Sequence, residues 1–391
     1  MRKTNITLMV FTLMSFVLAM TAFVFNGILD KVALSLDISV ANTGLLNTMY
    51  SYGAAFGVPL SLIVFRKIER TKILKIMLLV TIIMTLALVF AQNFGQLLAV
   101  RLVMGISANS YGVMAIATVL ALAPQERQGR ALAYYIMGSS LALVIGIPLT
   151  RVLIVVFDWR IIFWILNAIM VLSLVHFQRN LPESDHGATR LNLANEIQYF
   201  KNRNILMMIL SSLMMFVGYG AFYTYITPYM LLVFPTLEKS MSIILVFLGL
   251  ASFSGNLLGG QVGDRIGYGK TLLIGMSLQG LAMVLLLVFR NSAKLSVAIL
   301  IFWLLSAWFA GLQLNSGIAQ MTQNRSSFML SINSTAIQLG TAIGSSMAAA
   351  VIPLVGIRYL VLIALTTSLV VVAIQLTDQK LLVFKRGTGI G

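Results

Sequence analysis

Residues 255–273 read GNLLGGQVGDRIGYGKTLL, and in this stretch Asp264 and Arg265 stand side by side between two long apolar runs. Charged side chains inside a lipid bilayer are costly, so adjacent opposite charges favour a position at the membrane surface. We therefore interpret the stretch as a short turn between two membrane spans. Small residues before the turn allow neighbouring helices to approach closely. These residues are Gly255, Gly259 and Gly260.

The composition excludes several classes of protein. Of the 391 residues 59% are hydrophobic and only 10% are charged, whereas soluble domains carry about 25% charged residues. The chain has no cysteine, and its two histidines, His176 and His186, cannot form a metal cluster. We expect no metal or other cofactor. The net charge of +16 does not indicate a nucleic-acid partner, because the basic residues lie between apolar runs rather than on one soluble face.

Twelve stretches are long and apolar enough to cross a bilayer as helices, since a span needs about 20 residues. Arg2 and Lys3 before the first run resemble the start of a signal peptide, but the apolar run continues, and we interpret it as an uncleaved first span. The sequence therefore predicts an all-α integral membrane protein. The predicted spans are 6–28, 43–65, 73–91, 97–122, 131–153, 160–178, 205–227, 241–262, 271–289, 295–318, 328–350 and 358–376.

Charge predicts the orientation and the domain division. Most of the 27 Lys and Arg residues fall on one side of the predicted spans, and the positive-inside rule makes that side cytoplasmic. We expect both termini in the cytoplasm and a location in the cell (inner or plasma) membrane. The longest polar interval divides the chain into a six-helix bundle at 1–178, a cytoplasmic linker at 179–204 and a second six-helix bundle at 205–391.

The two predicted bundles show an internal repeat. Parallel repeats of this kind build transporters whose two halves rock around a shared site near the membrane midplane. Topology does not require an acid at the turn after the eighth span, so we interpret Asp264 as part of a conformational latch. The alternative is a solvated turn whose charges only set topology. A shift of 198 residues superposes Gly57 on Gly255, Lys72 on Lys270, Arg127 on Arg325, Gly146 on Gly344 and Arg160 on Arg358.

Three motifs resemble those of the major facilitator superfamily. GGQVGDRIGYGK (259–270) resembles its signature turn, and RLVMG (101–105) resembles its span-4 arginine motif. GSSLALVIGIPLTR (138–151), followed by FDWR (157–160), resembles the span-5 motif of its twelve-span drug:proton antiporters. The chain is most similar to the sugar-, arabinose- and purine-efflux branch, and the resemblance covers nearly its whole length.

The resemblance implies two pseudo-symmetric six-helix bundles and assigns roles to further residues. Two departures matter. Arg66 stands where the family's first-half turn usually has an aspartate, and the first span lacks the deep carboxylate of many-drug members. The implied latch consists of Asp264, Arg265, Gly260, Gly267, Lys270 and Arg127, and the implied helix-packing residues are Gly138, Gly146 and Pro148.

The energy source is expected to be an ion or solute gradient. GDRIGYGKT (263–271) differs from a phosphate-binding loop because Asp264 replaces a required glycine. Asp30 is the acid that lies closest to an apolar span on the cavity side, and Arg101 lies at similar depth in the fourth span. Our hypothesis is that Asp30 and Arg101 are neighbours and couple protons to transport. The alternative is that both only reach the outer interface.

Polar side chains within spans predict the solute site, which we expect near the midplane between the halves. A site rich in amides and aromatic rings, and nearly without charge, suits a neutral polar or amphipathic solute. The candidates are Asn26, Asn109, Tyr111, Tyr219, Tyr223, Trp308, Gln313, Asn315, Asn333 and Gln338.

Taken together, the sequence favours a secondary transporter that exports a small solute (a sugar, nucleobase or drug-like molecule) in exchange for protons. Its expected partners are the solute, protons and the lipid bilayer, without nucleic acid, and we expect a monomer. An enzyme is not indicated, because no span holds a catalytic or metal-binding cluster. An uptake symporter or uniporter remains an alternative, as does a transport-inactive membrane sensor.

Overall fold

The computed structural model describes residues 2–64, 68–181, 196, 198–323 and 326–387, and within these ranges the chain is helical and contains no β-strand. Most turns between helices are only a few residues long. The helices are α1 Arg2–Leu36, α2 Val40–Val64, α3 Arg70–Phe90, α4 Phe94–Leu122, α5 Gln128–Leu141, α6 Ile147–Leu153, α7 Arg160–Asn180, α8 Arg203–Tyr223, α9 Ile226–Val233, α10 Met241–Ile266, α11 Tyr268–Val288, α12 Ala293–Met321, α13 Ser327–Val355 and α14 Leu360–Gly387.

Eleven helical segments of the described chain are long and apolar enough to cross a membrane. Helix α2, of 25 residues, is a further helix of span length. Large apolar side chains on these helices are exposed, among them Leu34, Phe90 and Leu354. A water-soluble protein rarely exposes so many, whereas lipid solvates them without cost. The prediction of an all-α membrane fold is confirmed.

Contacts divide the chain into two compact units. Unit 1 comprises Met1–Arg190 and Lys239–Gly249, and unit 2 comprises Leu191–Glu238 and Leu250–Gly391. The start of α10 therefore groups with unit 1, where Gly249 packs against the Leu143 carbonyl. Most of the predicted linker at 179–204 lies outside the described residues. Arg66, His186 and Arg325 also lie outside them.

The same close helix contact occurs in each unit. In unit 1 a methyl group at Gly57 of α2 would lie 2.7 Å from the Ile106 carbonyl oxygen of α4. In unit 2 a methyl group at Gly255 of α10 would overlap the Leu305 carbonyl oxygen of α12. Glycine allows the backbones to approach at both places. The superposed pair Gly57 and Gly255 thus performs the same packing role in both units.

The fifth span is interrupted by a π-helical segment, Ala142–Gly146, between α5 and α6. Pro148 stands at the start of α6 and has no N–H for the preceding turn, which favours a wider turn at that point. The segment is tightly packed against α1, because a side chain at Gly146 would overlap Met20 and one at Gly27 would overlap Ile147.

Candidate functional site

Within the described residues of unit 1, Arg101 on α4 is a charged side chain that is fully buried. Its Nη1 donates to the Thr21 carbonyl oxygen at 2.6 Å, and its Nε donates to the Leu46 carbonyl oxygen at 3.0 Å. The guanidinium also lies over the Phe25 ring at 4.9 Å and the Tyr50 ring at 4.5 Å. Carbonyl dipoles and aromatic faces therefore compensate a buried cation that has no ion pair within the described chain.

A chain of amides continues from this cation. Arg101 Nη2 donates to Asn47 Oδ1 at 3.3 Å, and Asn47 Nδ2 donates to Asn26 Oδ1. Asn26 and Asn47 are both buried, and the Tyr50 hydroxyl interacts with the side chains of Thr21 and Asn109. The network joins α1, α2 and α4, so it fixes the relative positions of three helices and of the predicted residues Asn26, Asn109 and Arg101.

The hypothesis that Asp30 and Arg101 are neighbours is wrong. Asp30 instead pairs with Arg151 of α6, with Nη1–Oδ1 and Nη2–Oδ2 distances of 2.7 and 3.1 Å. Arg101 contacts α1 at Thr21, and Asp30 lies nine residues further along that helix. Arg101 also contacts the Phe25 ring of α1, but it forms no ion pair within the described chain, and the Asp30 carboxylate is paired with Arg151 instead.

The remaining candidate of unit 1 is Tyr111. It is fully buried on α4, and its hydroxyl has no hydrogen-bond partner. A buried hydroxyl without a partner is rare in a folded protein, because its desolvation is not compensated. The Tyr111 hydroxyl is therefore a donor without a protein partner, whereas Asn26 and Asn109 already have protein partners.

An aromatic cluster lies in unit 2 on α8 and α12. The Tyr219 ring stacks on Tyr223 with centroids 4.8 Å apart and on Trp303 at 5.9 Å, and it meets Trp308 edge-on at 6.3 Å. Tyr219 approaches Trp308, but the geometry leaves the Tyr219 hydroxyl and both indole N–H groups without hydrogen-bond partners. Three buried donors thus surround one group of rings.

Amides of unit 2 form a second group between α8, α12 and α13. Ser212 Oγ donates to Asn333 Oδ1 at 2.6 Å, and Asn333 Nδ2 donates to Asn315 Oδ1 at 2.9 Å. Gln313 Nε2 donates to the Gly259 carbonyl oxygen at 2.8 Å and thereby binds α10 to α12. Gln338 is half-buried on α13. The structure therefore gives Gln313 a packing role, while Asn315 keeps an exposed amide.

All predicted latch residues except Arg127 lie at or near the α10–α11 turn. Asp264, Arg265 and Lys270 are exposed there. Gly267 adopts a φ of +83° at the turn, a conformation that side chains rarely adopt. Arg127 is exposed at the start of α5.

The prediction that Gly260 allows close helix contact is wrong. A methyl group there would make only an ordinary contact at 3.5 Å with Leu312. Gly263, one turn after Gly259, is the closely packed residue instead, since a methyl group at that position would lie 2.6 Å from Gln313 Oε1. Helical periodicity places residues 255, 259 and 263 on one face and residue 260 on another.

Asn47 and Arg151 are among the network residues that the sequence interpretation does not identify. Asn47 lies within the second span, and an amide at membrane depth is a signal that could have identified it. Arg151 is the last residue of the motif GSSLALVIGIPLTR (138–151), and its proximity to Asp30 depends on how α1 and α6 pack. Of the span-5 residues named for helix packing, Pro148 is buried, and side chains at Gly138 and Gly146 would overlap Thr12 and Met20.

The described residues contain no group of three metal-ligating side chains. What they hold inside the spans is a buried cation, several amides and a group of aromatic rings with free donors. Together with span-length helices in two units of like packing, these features define a multi-pass membrane transport protein. The family model described as Major Facilitator Superfamily matches residues 11–237 and 234–382, and the chain belongs to this superfamily. It is a transporter and not an enzyme.

Curated relatives are similar over most of their length. An "Uncharacterized MFS-type transporter YbcL" of Bacillus subtilis (strain 168) is 28% identical over 86% of this chain and 86% of its own. A "Probable sugar efflux transporter" of Helicobacter pylori (strain ATCC 700392 / 26695) is 25% identical over 90% of this chain and 89% of its own. The resemblance to the superfamily and its sugar-efflux branch is confirmed.

Solved structures share the fold. The crystal structure of a D-xylose–proton symporter superposes with a TM-score of 0.76 at 14% identity and covers 94% of this chain and 96% of its own. A mutant of the nucleoside transporter NupG superposes with a TM-score of 0.75 at 12% identity and covers 96% of this chain and 99% of its own. At this identity the similarity shows the major facilitator fold alone.

Proposed function

We propose that this transporter exports a small neutral polar solute, a sugar or a similarly hydroxylated molecule, in exchange for protons. The observation that carries the proposal is the aromatic cluster of unit 2 (Tyr219, Tyr223, Trp303 and Trp308) with its unpaired donors. The similarity to relatives named as probable sugar efflux transporters supports it.

The chemistry of the cluster suits such a solute. Flat aromatic faces pack against the apolar C–H face of a pyranose or against a ring base, and the Tyr219 hydroxyl and Trp308 N–H can hydrogen-bond its hydroxyl groups. Without a hydrogen-bond partner, each of these donors carries a desolvation cost of about 1–3 kcal/mol. A solute that satisfies them regains that free energy, whereas an apolar solute of the same size does not.

Asp30 is the proposed proton carrier, with Arg151 in place of Arg101 as its partner. The carboxylate is 16% exposed and the guanidinium 5%, so the pair is shielded but the acid remains reachable from outside. Protonation removes the negative charge and weakens the pair, which leaves the Arg151 side chain bonded to α1 through the Gly27 carbonyl oxygen at 3.0 Å. Arg101, held by carbonyl groups and rings, remains a fixed positive charge and is proposed to position the network.

The gradient that one proton can support is bounded by simple arithmetic. A proton moving through 100 mV releases about 2.3 kcal/mol. At about 1.4 kcal/mol per factor of ten, one proton per neutral solute maintains a concentration ratio somewhat under one hundred. A measured ratio far above this value would require more than one proton.

Liposomes containing the purified protein, with an imposed pH gradient, test the proposal. Labelled hexoses, pentoses, nucleosides and nucleobases are supplied in turn, and uphill accumulation is compared with exchange at equal pH. We expect Asp30→Asn to abolish uphill transport while exchange persists. Uphill transport that survives in Asp30→Asn would refute the role of Asp30, and solute movement in the direction of the protons would show symport.

A second variant tests the aromatic cluster separately. Trp308→Phe keeps a ring but removes the N–H, and we expect the transport KM for the solute to rise about tenfold, corresponding to one hydrogen bond of roughly 1.4 kcal/mol. Trp164→Phe is the matched control, because Trp164 is 43% exposed on α7 and packs edge-on against Phe90. Equal effects of the two substitutions would argue against solute binding at the cluster.

The placement of the protein is also part of the proposal. The excess of Lys and Arg on one side supports cytoplasmic termini and a location in the cell membrane, and one chain is proposed to suffice for transport. The exposed latch residues Asp264, Arg265 and Lys270 lie on the proposed cytoplasmic side. Accessibility of single cysteines introduced at Ser292 and Lys201, on opposite predicted sides of a chain without native cysteine, tests the orientation.

A further inference from the structure

A long groove runs along unit 1 between α1 and α5, with a volume of about 970 Å³. We call it the α1–α5 groove. Apolar side chains form its walls, and Gly138 lies at its floor, where a side chain would overlap the Thr12 carbonyl oxygen. This glycine lets α1 and α5 meet closely at the floor of the groove, while their larger side chains form its two walls. The wall residues are Leu8, Met9, Leu13, Phe16, Met137 and Leu141.

One end of the groove is positively charged. Arg127 and Arg130 both line it, both are exposed, and neither forms an ion pair within the described chain. Asn5 adds an amide at the same end. Two guanidinium groups without an ion pair, at one end of the apolar α1–α5 groove, complement an anionic head group attached to an apolar tail.

The length of the groove distinguishes a lipid from a small solute. It extends along α1 from Asn5 to Phe16, which is about 16 Å at 1.5 Å per residue. Half of a 30 Å hydrocarbon core is about 15 Å, so the apolar part matches one leaflet. In the proposed orientation the arginines lie at the cytoplasmic surface, where anionic lipids attract basic side chains.

We propose that the α1–α5 groove binds one anionic phospholipid of the cytoplasmic leaflet. One acyl chain lies along the apolar wall, and the phosphate accepts hydrogen bonds from Arg127 and Arg130. The lipid then links α1 to α5 at this end of the helix pair, as the Asp30–Arg151 pair links α1 to α6 at the other end. The site is separate from the proposed solute cluster, which lies in unit 2.

Delipidated, purified protein provides the test. Native mass spectrometry and thermal unfolding are followed while dioleoylphosphatidylglycerol, dioleoylphosphatidylcholine or glycerol 3-phosphate is added. We expect the anionic lipid to bind and to raise the Tm, and the zwitterionic lipid and the soluble phosphate to have much smaller effects. Equal stabilisation by both lipids would overturn the proposal, as would stabilisation by glycerol 3-phosphate alone.

Variants locate the site. Each basic side chain near a membrane surface contributes about 1 kcal/mol, so the double variant Arg127→Gln/Arg130→Gln should weaken binding of the anionic lipid roughly 25-fold. Lys201→Gln/Arg203→Gln removes the same charge from the same predicted side, outside the groove, and should leave binding unchanged. An equal loss in both double variants would reduce the effect to general surface charge and overturn the site.

A third variant tests whether an acyl chain lies in the α1–α5 groove. Leu141 is 39% exposed in the groove wall, so Leu141→Trp fills part of the groove without replacing a buried residue. We expect it to weaken binding of the anionic lipid while both arginines remain. Unchanged binding in this variant would exclude the acyl chain from the groove. All of these substitutions are at exposed positions, and the Tm measured without lipid verifies that each variant is folded.

Discussion

The ion pair between Asp30 and Arg151 leads to a quantitative prediction. Two parallel contacts of 2.7 and 3.1 Å join side chains that are 16% and 5% exposed. Opposite charges about 4 Å apart attract by about 4 kcal/mol at an effective dielectric constant of 20, and desolvation offsets part of this. We therefore expect Asp30→Asn and Arg151→Gln to be coupled by about 2 kcal/mol in a double-mutant cycle.

Two further cycles in unit 1 serve as controls. Asp158 and Arg160 also form an ion pair, but at 3.5 Å and with 54% and 29% exposure, so their coupling should stay below about 0.5 kcal/mol. Asp30 and Arg101 share no ion pair or hydrogen bond within the described chain, so Asp30→Asn and Arg101→Gln should be additive within about 0.5 kcal/mol.

Reversible unfolding in mixed micelles of a mild detergent and sodium dodecyl sulfate measures the free energy of unfolding of each single and double variant. If Asp30 couples to Arg101 as strongly as to Arg151, α6 does not pack against α1 through the Asp30–Arg151 pair. If the buried pair couples no more strongly than Asp158 and Arg160, burial does not strengthen it, and the proposed weakening of the pair by protonation loses its basis.

Three other substitutions have defined outcomes. Asn47→Ala removes the amide that joins Arg101 to Asn26 and should lower the free energy of unfolding by about 2 kcal/mol. The control is Asn93→Ala at an exposed cap residue, which should lower it by about 1 kcal/mol. Equal losses would contradict a central role for the network. Gly255→Ala should separate α10 from α12 and lower the Tm, while Gly129→Ala, in open space, should leave the Tm unchanged or raise it, and unfolding scans of both variants decide this. Gly267→Ala places a side chain at φ +83° and should cost about 1 kcal/mol, measured in the same micelles; a stabilising effect would exclude the left-handed turn.

Local chemistry explains why some site residues could be identified from sequence. Arg101, Asn26 and Asn333 are polar residues within apolar runs, and such residues must find partners wherever the helices place them. Their importance is therefore visible in one dimension. The sequence does not show which residue the partner is, because that depends on the rotation and height of each helix. Asp30 was for this reason matched with Arg101 at an estimated depth, while the structure joins it to Arg151.

The glycines show the same limit. A run such as GNLLGG indicates close packing, but the choice among Gly255, Gly259, Gly260 and Gly263 depends on the helix face that meets α12. Three of them share a face, and Gly260 does not. A 3.6-residue period predicts such faces, but which face is turned inward is set by the neighbouring helix.

The sequence by itself determined that the chain crosses a membrane in many helices, that its two halves are alike, and to which superfamily it belongs. These properties follow from hydropathy, charge and spacing along the chain, which act residue by residue. Only the tertiary structure decided the Asp30–Arg151 pair, the Arg101–Asn47–Asn26 network, the aromatic cluster and the α1–α5 groove. Each of these joins residues that are distant in sequence, and their contact depends on how whole helices pack.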